Sequence, residues 1–258
     1  MPTETKRVLI ASDTHCGAVT GLTPKTFETR SDKWQTMRRK FWREYCRIID
    51  SLGKIDLLIF NGDAIDGPSN TKEAGIGLLY SDRHIQCDMA VECIDRVGAN
   101  KIVMTRGTQF HTGDREDYED QIAKSVGALA ISSREWVDVN GTIFDCKHKI
   151  GASSIPYGSY TAPAKSNINN MVWAEDGTQP RAQIFVRSHT HQFGFCGNSR
   201  FTAIVTPSLQ GYSRYGSLNV ERKIDWGLVW FDVKADGSFK PDWEIVTIQE
   251  SKTRAVKI

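Results

Sequence analysis

Two aspartates and five histidines carry the chemistry legible in this sequence. They fall as Asp13-Thr14-His15, Gly62-Asp63, His111, His148 and His189-Thr190-His191. Imidazole and carboxylate groups gathered at one point bind divalent cations, and such mixed sets suit Mn, Fe or Zn better than Ca or Mg. A pair of ions about 3.5–4 Å apart needs one bridging carboxylate and several flanking ligands. Together the ions polarise a phosphoryl oxygen and generate hydroxide from water near neutral pH. In Asp-x-His and His-x-His, alternate residues of an extended backbone face the same way, so both members of each pair are expected to reach the ions.

That chemistry requires distant residues to converge, and the surrounding elements provide the means. Arg7–Ser12, Ile55–Asn61 and Lys101–Thr105 are short aliphatic runs that read as buried strands. Each is followed at once by a site residue or a glycine turn: Asp13, Gly62-Asp63, and Gly107-Thr108 with His111. Trp136–Ile150 reads as a hairpin turning at Asn140-Gly141 and ending near His148. Gln183–Arg187 and Phe201–Thr206 are further strands, the first leading into His189. Leu228–Val233 and Trp243–Ile248 bracket a turn at Asp236-Gly237. Helical spacing runs from a Ser31 cap to Leu52, with Gly53 as the stop, and again over Asp82–Val97 and Glu116–Val126. Gly151–Arg181, rich in Ser, Asn, Gly and Pro, reads as a long loop. The expected architecture is an α/β domain spanning residues 1–258, with two packed mixed β-sheets flanked by helices. Strand-end residues in such sheets share one crevice.

Composition narrows the classes. With 258 residues, 40% hydrophobic and 25% charged, the chain can bury a sizeable core. A net charge of +2 gives no support for a broad electrostatic grip on nucleic acid. No apolar run reaches the 18 residues of a membrane span, and the first residues lack a secretory h-region. The six cysteines form no C-x-x-C pair and read as reduced thiols of a cytoplasmic protein.

In order and spacing, Asp13-x-His15, Gly62-Asp63-x-x-Asp66, the glycine turn at 107, His148 and His189-x-His191 resemble the calcineurin-like metallophosphoesterases. The resemblance covers about residues 7–191. Asp13-Thr14-His15-Cys16-Gly17 looks like a branch found among phage and prophage proteins, which implies the cytoplasm of a bacterium or a phage-infected host. The family resemblance implies two divalent transition-metal ions, Mn2+ first, with Fe, Zn or Ni as alternatives. Asp13, His15 and His191 would hold the first ion and Asp63 would bridge. His148, His189 and a third-motif residue, Thr108, would hold the second. The implied activity is phosphoester hydrolysis, with a phosphodiester of nucleic acid or nucleotide type as the leading substrate. The alternatives are a phosphomonoesterase or phosphoprotein phosphatase, or a non-catalytic binding or assembly protein on the same fold.

Two departures from the family pattern matter. The third motif reads Arg106-Gly107-Thr108-Gln109-Phe110-His111, with Thr108 where the family has an asparagine ligand and His111 displaced by two positions. A bulged loop is expected to bring His111 to the leaving alkoxide as a general acid. After Asp66 stands Gly67, where phosphoprotein phosphatases carry an arginine. Taken singly, every residue has a plainer reading. Asp13 and Asp63 can be turn caps, and His148, or His189 with His191, can be buried strand residues. Asp66 either holds a histidine in one tautomer or only shapes its turn. Cys16 reads as a packed thiol and His84 as a helix-surface residue. Tyr212, Arg214 and Tyr215 line either the cleft or a surface loop.

Overall fold

A computed structural model describes residues 4–67, 77–112, 117–151, 158, 160–212 and 223–248. β1 (Lys6–Ala11), β2 (Leu57–Asn61) and β3 (Ile102–Thr105) are parallel, and short β4 (Ile131–Ser132) extends them. Their continuous aliphatic runs are those of strands covered on both faces. β10 (Trp226–Val233) returns antiparallel beside β1, and β11 (Phe239–Val246) forms the edge. The first sheet thus runs β11-β10-β1-β2-β3-β4. The second contains β5 (Glu135–Val139), β6 (Thr142–Cys146), β7 (Ile184–Arg187), β8 (Gly194–Asn198) and β9 (Phe201–Val205), in the order β5-β6-β7-β9-β8. Both sheets are mixed.

Strand alternation divides the core into layers. Val8, Ile10, Ile59 and Val103 of the first sheet share one cluster with Phe144, Ile184, Val186 and Ile204 of the second, so the sheets pack face to face. Leu9, Leu58, Phe60 and Met104 point the other way. They pack against α1 (Gln35–Leu52), α2 (Arg83–Asp95) and α4 (Tyr118–Ser125). On the far side, α5 (Thr161–Glu175) lies against β7, β8 and β9. The result is the expected α/β sandwich of two mixed sheets between helices. No described helix is long and apolar enough to cross a membrane.

Local chemistry explains most boundaries. Asn140 (φ 54°) and Gly141 (φ 87°) both lie in the left-handed region, as a two-residue hairpin of the I′ type requires. Gly53 (φ 67°) ends α1, and Asp82 caps α2 by accepting from His84 N–H. Three expectations change. The cap position of α1 is Trp34, without a side-chain cap, rather than Ser31; Asp32 shapes the turn before it by accepting from Trp34 N–H at 2.8 Å. The segment read as a loop over 151–181 contains α5, whose Pro163 is tolerated in the first turn. The helix hid because its apolar residues do not form one stripe: Ile168, Met171, Val172 and Trp173 are exposed. Edge strand β8, Gly-Phe-Cys-Gly-Asn, was hidden by two glycines that weaken any strand pattern.

Candidate metal centre

Every proposed ligand stands just beyond the carboxyl end of a strand. Asp13 and His15 follow β1, Asp63 follows β2, Thr108 follows β3, His148 follows β6, and His189 and His191 follow β7. The loops are laced together, with Asp13 N–H donating to Gly62 O at 3.0 Å and His15 N–H to Asp63 O at 3.1 Å. The backbone there is not the extended one expected from the i, i+2 spacing. Asp13 (φ 52°), His15 (43°), Asp63 (54°), His189 (77°) and His191 (56°) are all left-handed. Among the described residues only Asn140, in its hairpin, is a further non-glycine case. Such residues cost on the order of 1–3 kcal/mol each and cluster at functional sites. The paired residues converge because each chain turns sharply back at each ligand. Glycines permit the close approach: a side chain at Gly107 would collide with Asp63, and one at Gly62 with the His148 ring.

Three groups have their ligand atoms within 4.8 Å of one another: two are the proposed ligand sets, and the third, His15 with Asp66 and His111, shares His15 with the first. In the first, His191 Nε2 lies 3.3 Å from both His15 Nε2 and Asp13 Oδ1. In the second, Asp63 Oδ2 lies 2.9 Å from His148 Nε2 and 3.9 Å from His189 Nδ1. Asp13 Oδ1 also approaches His148 Nε2 at 3.9 Å, so the sets adjoin. Ligands about 2.1 Å from an ion are separated by about 3.0–3.4 Å at right-angled to tetrahedral geometry, the scale of these separations.

Hydrogen bonding fixes which way the lone pairs face. His148 Nδ1 donates to Asn61 O at 2.7 Å, which leaves the Nε2 lone pair of the neutral ring directed at carboxylate oxygens. His15 Nδ1 lies 3.1 Å from Asp66 Oδ1, which orients Nε2 toward His191. Acceptors facing acceptors repel unless a cation or proton sits between them. Asp13 Oδ1 and His148 Nε2 are buried without a hydrogen-bond partner, since the close approach to Asp63 is not aligned as a hydrogen bond. These orphaned atoms and the imidazole–carboxylate donor set fit divalent ions.

The electrostatics agree. Burial works against charge on His148, yet the Asp63 and Asp13 carboxylates push its pKa up to about 10. Burial likewise opposes ionisation of Asp13, but His148 and His191 hold it at about 2. Asp63 is also held well below the usual range, against burial, mainly by His148. Carboxylates this buried stay anionic only beside positive charge.

Thr108 takes a position on the Asp63 carboxylate, its N–H donating to Oδ1 at 2.6 Å and its hydroxyl at 3.1 Å. His111 is carried by a helical turn, α3 (Gln109–Thr112), rather than the expected bulge, and its ring centroid lies 4.5 Å from that of His15. Its Nδ1 donates to Asp66 O at 2.7 Å, while burial, and then His15, lower its pKa. Asp66 therefore holds both His15 and His111, which decides between its two readings. Cys16 is a buried thiol, and all six cysteines are free. His84 is exposed on α2. Tyr212 OH accepts from Ile224 N–H, while Arg214 and Tyr215 lie outside the described residues.

Sequence reasoning passed over Glu119. Fully buried on α4, it accepts from Ala64 N–H at 2.8 Å and from Gly107 N–H at 2.6 Å, tying the Asp63 loop to the Thr108 loop. Burial, then Asp63, pushes its pKa up to about 8. Its partners are backbone groups, so no side-chain motif announces it.

No family model and no curated protein matches this chain. Among solved structures it is similar to an archaeal phosphodiesterase, at 13% identity over 92% of this chain and 99% of the other, with a TM-score of 0.47. It is also similar to Zn2+-complexed Vps29 from Entamoeba histolytica (14% identity, 93% and 98% covered, TM-score 0.44). Vps29 from Cryptosporidium parvum is a third such structure (11% identity, 95% and 99% covered, TM-score 0.49). At these identities the likenesses say nothing of the site.

Proposed function

We propose that this protein is a one-domain, two-metal phosphoesterase acting on phosphodiesters. The observation that carries the reading is the convergence of six imidazole and carboxylate groups with two buried, unpartnered atoms, Asp13 Oδ1 and His148 Nε2. Asp13, His15 and His191 would hold one ion, and His148 and His189 the other, with Asp63 between them. The Thr108 hydroxyl donates to Asp63 Oδ1, and its oxygen lone pairs would be left for the second ion. Bound ions, Mn2+ first, would supply Lewis acidity and an activated water to a phosphoric ester.

The chain's own groups do the rest. Asp66 fixes the tautomer of His15 through its carboxylate, and its carbonyl takes the Nδ1 proton of His111. Nε2 of His111 is then the atom able to carry a proton to a departing alkoxide. The preference for diesters follows from charge. A monoester dianion asks for more positive charge than a diester monoanion. Arg106, the one arginine or lysine in the Thr105–Thr112 segment, is engaged by Asp117 and Asp120. At Gly67 a side chain would collide with the His111 backbone, so no cation can stand there. Six free thiols and the lack of a membrane-crossing helix among the described residues support a cytoplasmic setting.

The test is hydrolysis of an aryl phosphodiester beside its monoester with added Mn2+, for the wild type and Asp63→Asn, with metal content measured on both. Diester turnover lost in the variant is the expected result. Monoester preference would move the assignment to a phosphatase. Two bound ions with no turnover of either would favour a binding role for the same site.

A further inference from the structure

Beneath the ligand sets runs a chain of buried hydroxyls and one amide. Thr105 Oγ1 donates to Asn61 Oδ1 at 2.8 Å, and Asn61 Nδ2 donates to Ser188 Oγ at 2.6 Å and to Lys147 O at 3.3 Å. From the other side Thr206 Oγ1 donates to Ser188 Oγ at 2.8 Å, and Ser12 Oγ lies 2.7 Å from Thr206 Oγ1. All five side chains are buried. They stand at the ends of β3, β2, β7, β9 and β1, and so join both sheets at the level from which the ligand loops depart.

Asn61 is the centre of this chain, and its contacts are selective. It precedes Asp63 by two residues. Its amide reaches Lys147 and Ser188, which immediately precede His148 and His189, and Thr105, which ends the strand leading to Thr108. Its main-chain carbonyl accepts from His148 Nδ1 and so aims Nε2 at Asp63. Asp63 aside, which stands between the two ions, the side-chain contacts lead to His148, His189 and Thr108, the groups of the second ion. The first set is reached only at the far end, through Ser12 next to Asp13. The amide oxygen and both amide hydrogens are occupied, so Asn61 is not itself a ligand.

We infer that Asn61 is a positioning residue that sets the geometry of the second ion's site and leaves the first largely to itself. The inference rests on the two-ion reading above. Residues that orient ligands typically change metal affinity by about 10–100-fold. A residue that only braced the two sheets would shift stability and affect both ions alike or neither.

The test is Mn2+ binding to the full chain by calorimetry, with the exchange-coupled signal of the ion pair followed by electron paramagnetic resonance. The variants are Asn61→Asp, which keeps size and removes both donors, and Thr105→Val, which removes one hydroxyl at nearly constant shape. In wild type two binding events are expected. Asn61→Asp should weaken one by about 10–100-fold, leave the other within about 3-fold, and abolish the coupled signal. Thr105→Val should weaken the same event by less. Parallel shifts of both events, or none, would overturn the inference and leave the two-ion reading intact. If Asn61→Asp does not fold, Thr105→Val decides, and unchanged binding of both ions then overturns it. A wild type that binds fewer than two ions overturns both readings.

Discussion

Two buried clusters of charge follow β1, and they are completed in different ways. Around Arg38 every donor has a protein acceptor: Nε and Nη2 meet Glu28, Nη1 meets Asp32 and the Val19 carbonyl, and Nη2 also meets the Arg30 carbonyl. None of these residues has a left-handed backbone. The cluster at the strand ends has five left-handed residues, lone pairs facing lone pairs, and two buried atoms without partners. A buried polar network stabilises only when it is fully satisfied. Strain and repulsion persist where the surrounding structure forces them and function uses them. The first cluster is finished by the chain alone, whereas the second, on the reading proposed above, would be finished by a bound ion.

Substitutions should separate the two. Asp63→Asn is expected to lower turnover by more than about 100-fold, since the loss of a ligand exceeds the 10–100-fold effect of removing an orienting neighbour. In chelator at pH 7 its stability in urea should fall by less than that of Arg38→Ala, because loss of the Asp63–His148 attraction is partly offset by relief of the Asp63–Asp13 repulsion. A loss as large as that of Arg38→Ala would break the contrast. Arg38→Ala should cost about 3–5 kcal/mol in the same assay, with or without ions, because Glu28 and Asp32 lose their buried partner. For His111→Ala, kcat on a diester with a poor leaving group should fall by about 10²–10⁴-fold and much less with a good one. Equal losses on both would remove His111 from the proton-transfer role.

The last expected effect concerns pH. His148 titrates near 10 in the fold and near about 6.5 in an unfolded chain. The folded form therefore holds the proton more tightly. The stability this contributes is fully present below about pH 6.5 and is lost as pH rises toward 10. Ion-free protein melted in chelator should thus lose stability from pH 7 to 9.5. Mn2+ at about 100 times its Kd should add about 2.7 kcal/mol and flatten the profile, because the ion takes the proton's place. Identical profiles with and without Mn2+ would contradict that exchange.

Much of the candidate site was legible because strand ends are legible. Aliphatic runs such as Leu57–Asn61 stop at Gly62-Asp63, and the turn is where a sheet exposes side chains to its crevice. The left-handed backbone was not legible, since Asp-x-His has the same letters whether the chain is extended or folded back. Glu119 and Asn61 were missed for a related reason: their partners are backbone groups or hydroxyls 12 to 127 positions away. In the fold, β8 and α5 escaped because neither shows a clean period. Two glycines interrupt one, and the other exposes Ile168, Met171, Val172 and Trp173.

The ligands come from both sheets, and His15 meets His191 across 176 positions of chain. A partly made molecule with only β1 to β4 would hold Asp13, His15 and Asp63 but none of His148, His189 or His191. Contacts so distant in sequence are slow to form, so the centre assembles late, when the second half has docked. On the two-ion reading, ion uptake would then serve as a readout of completed folding. It would reward the finished molecule, and a chain stalled halfway would gain no such protection.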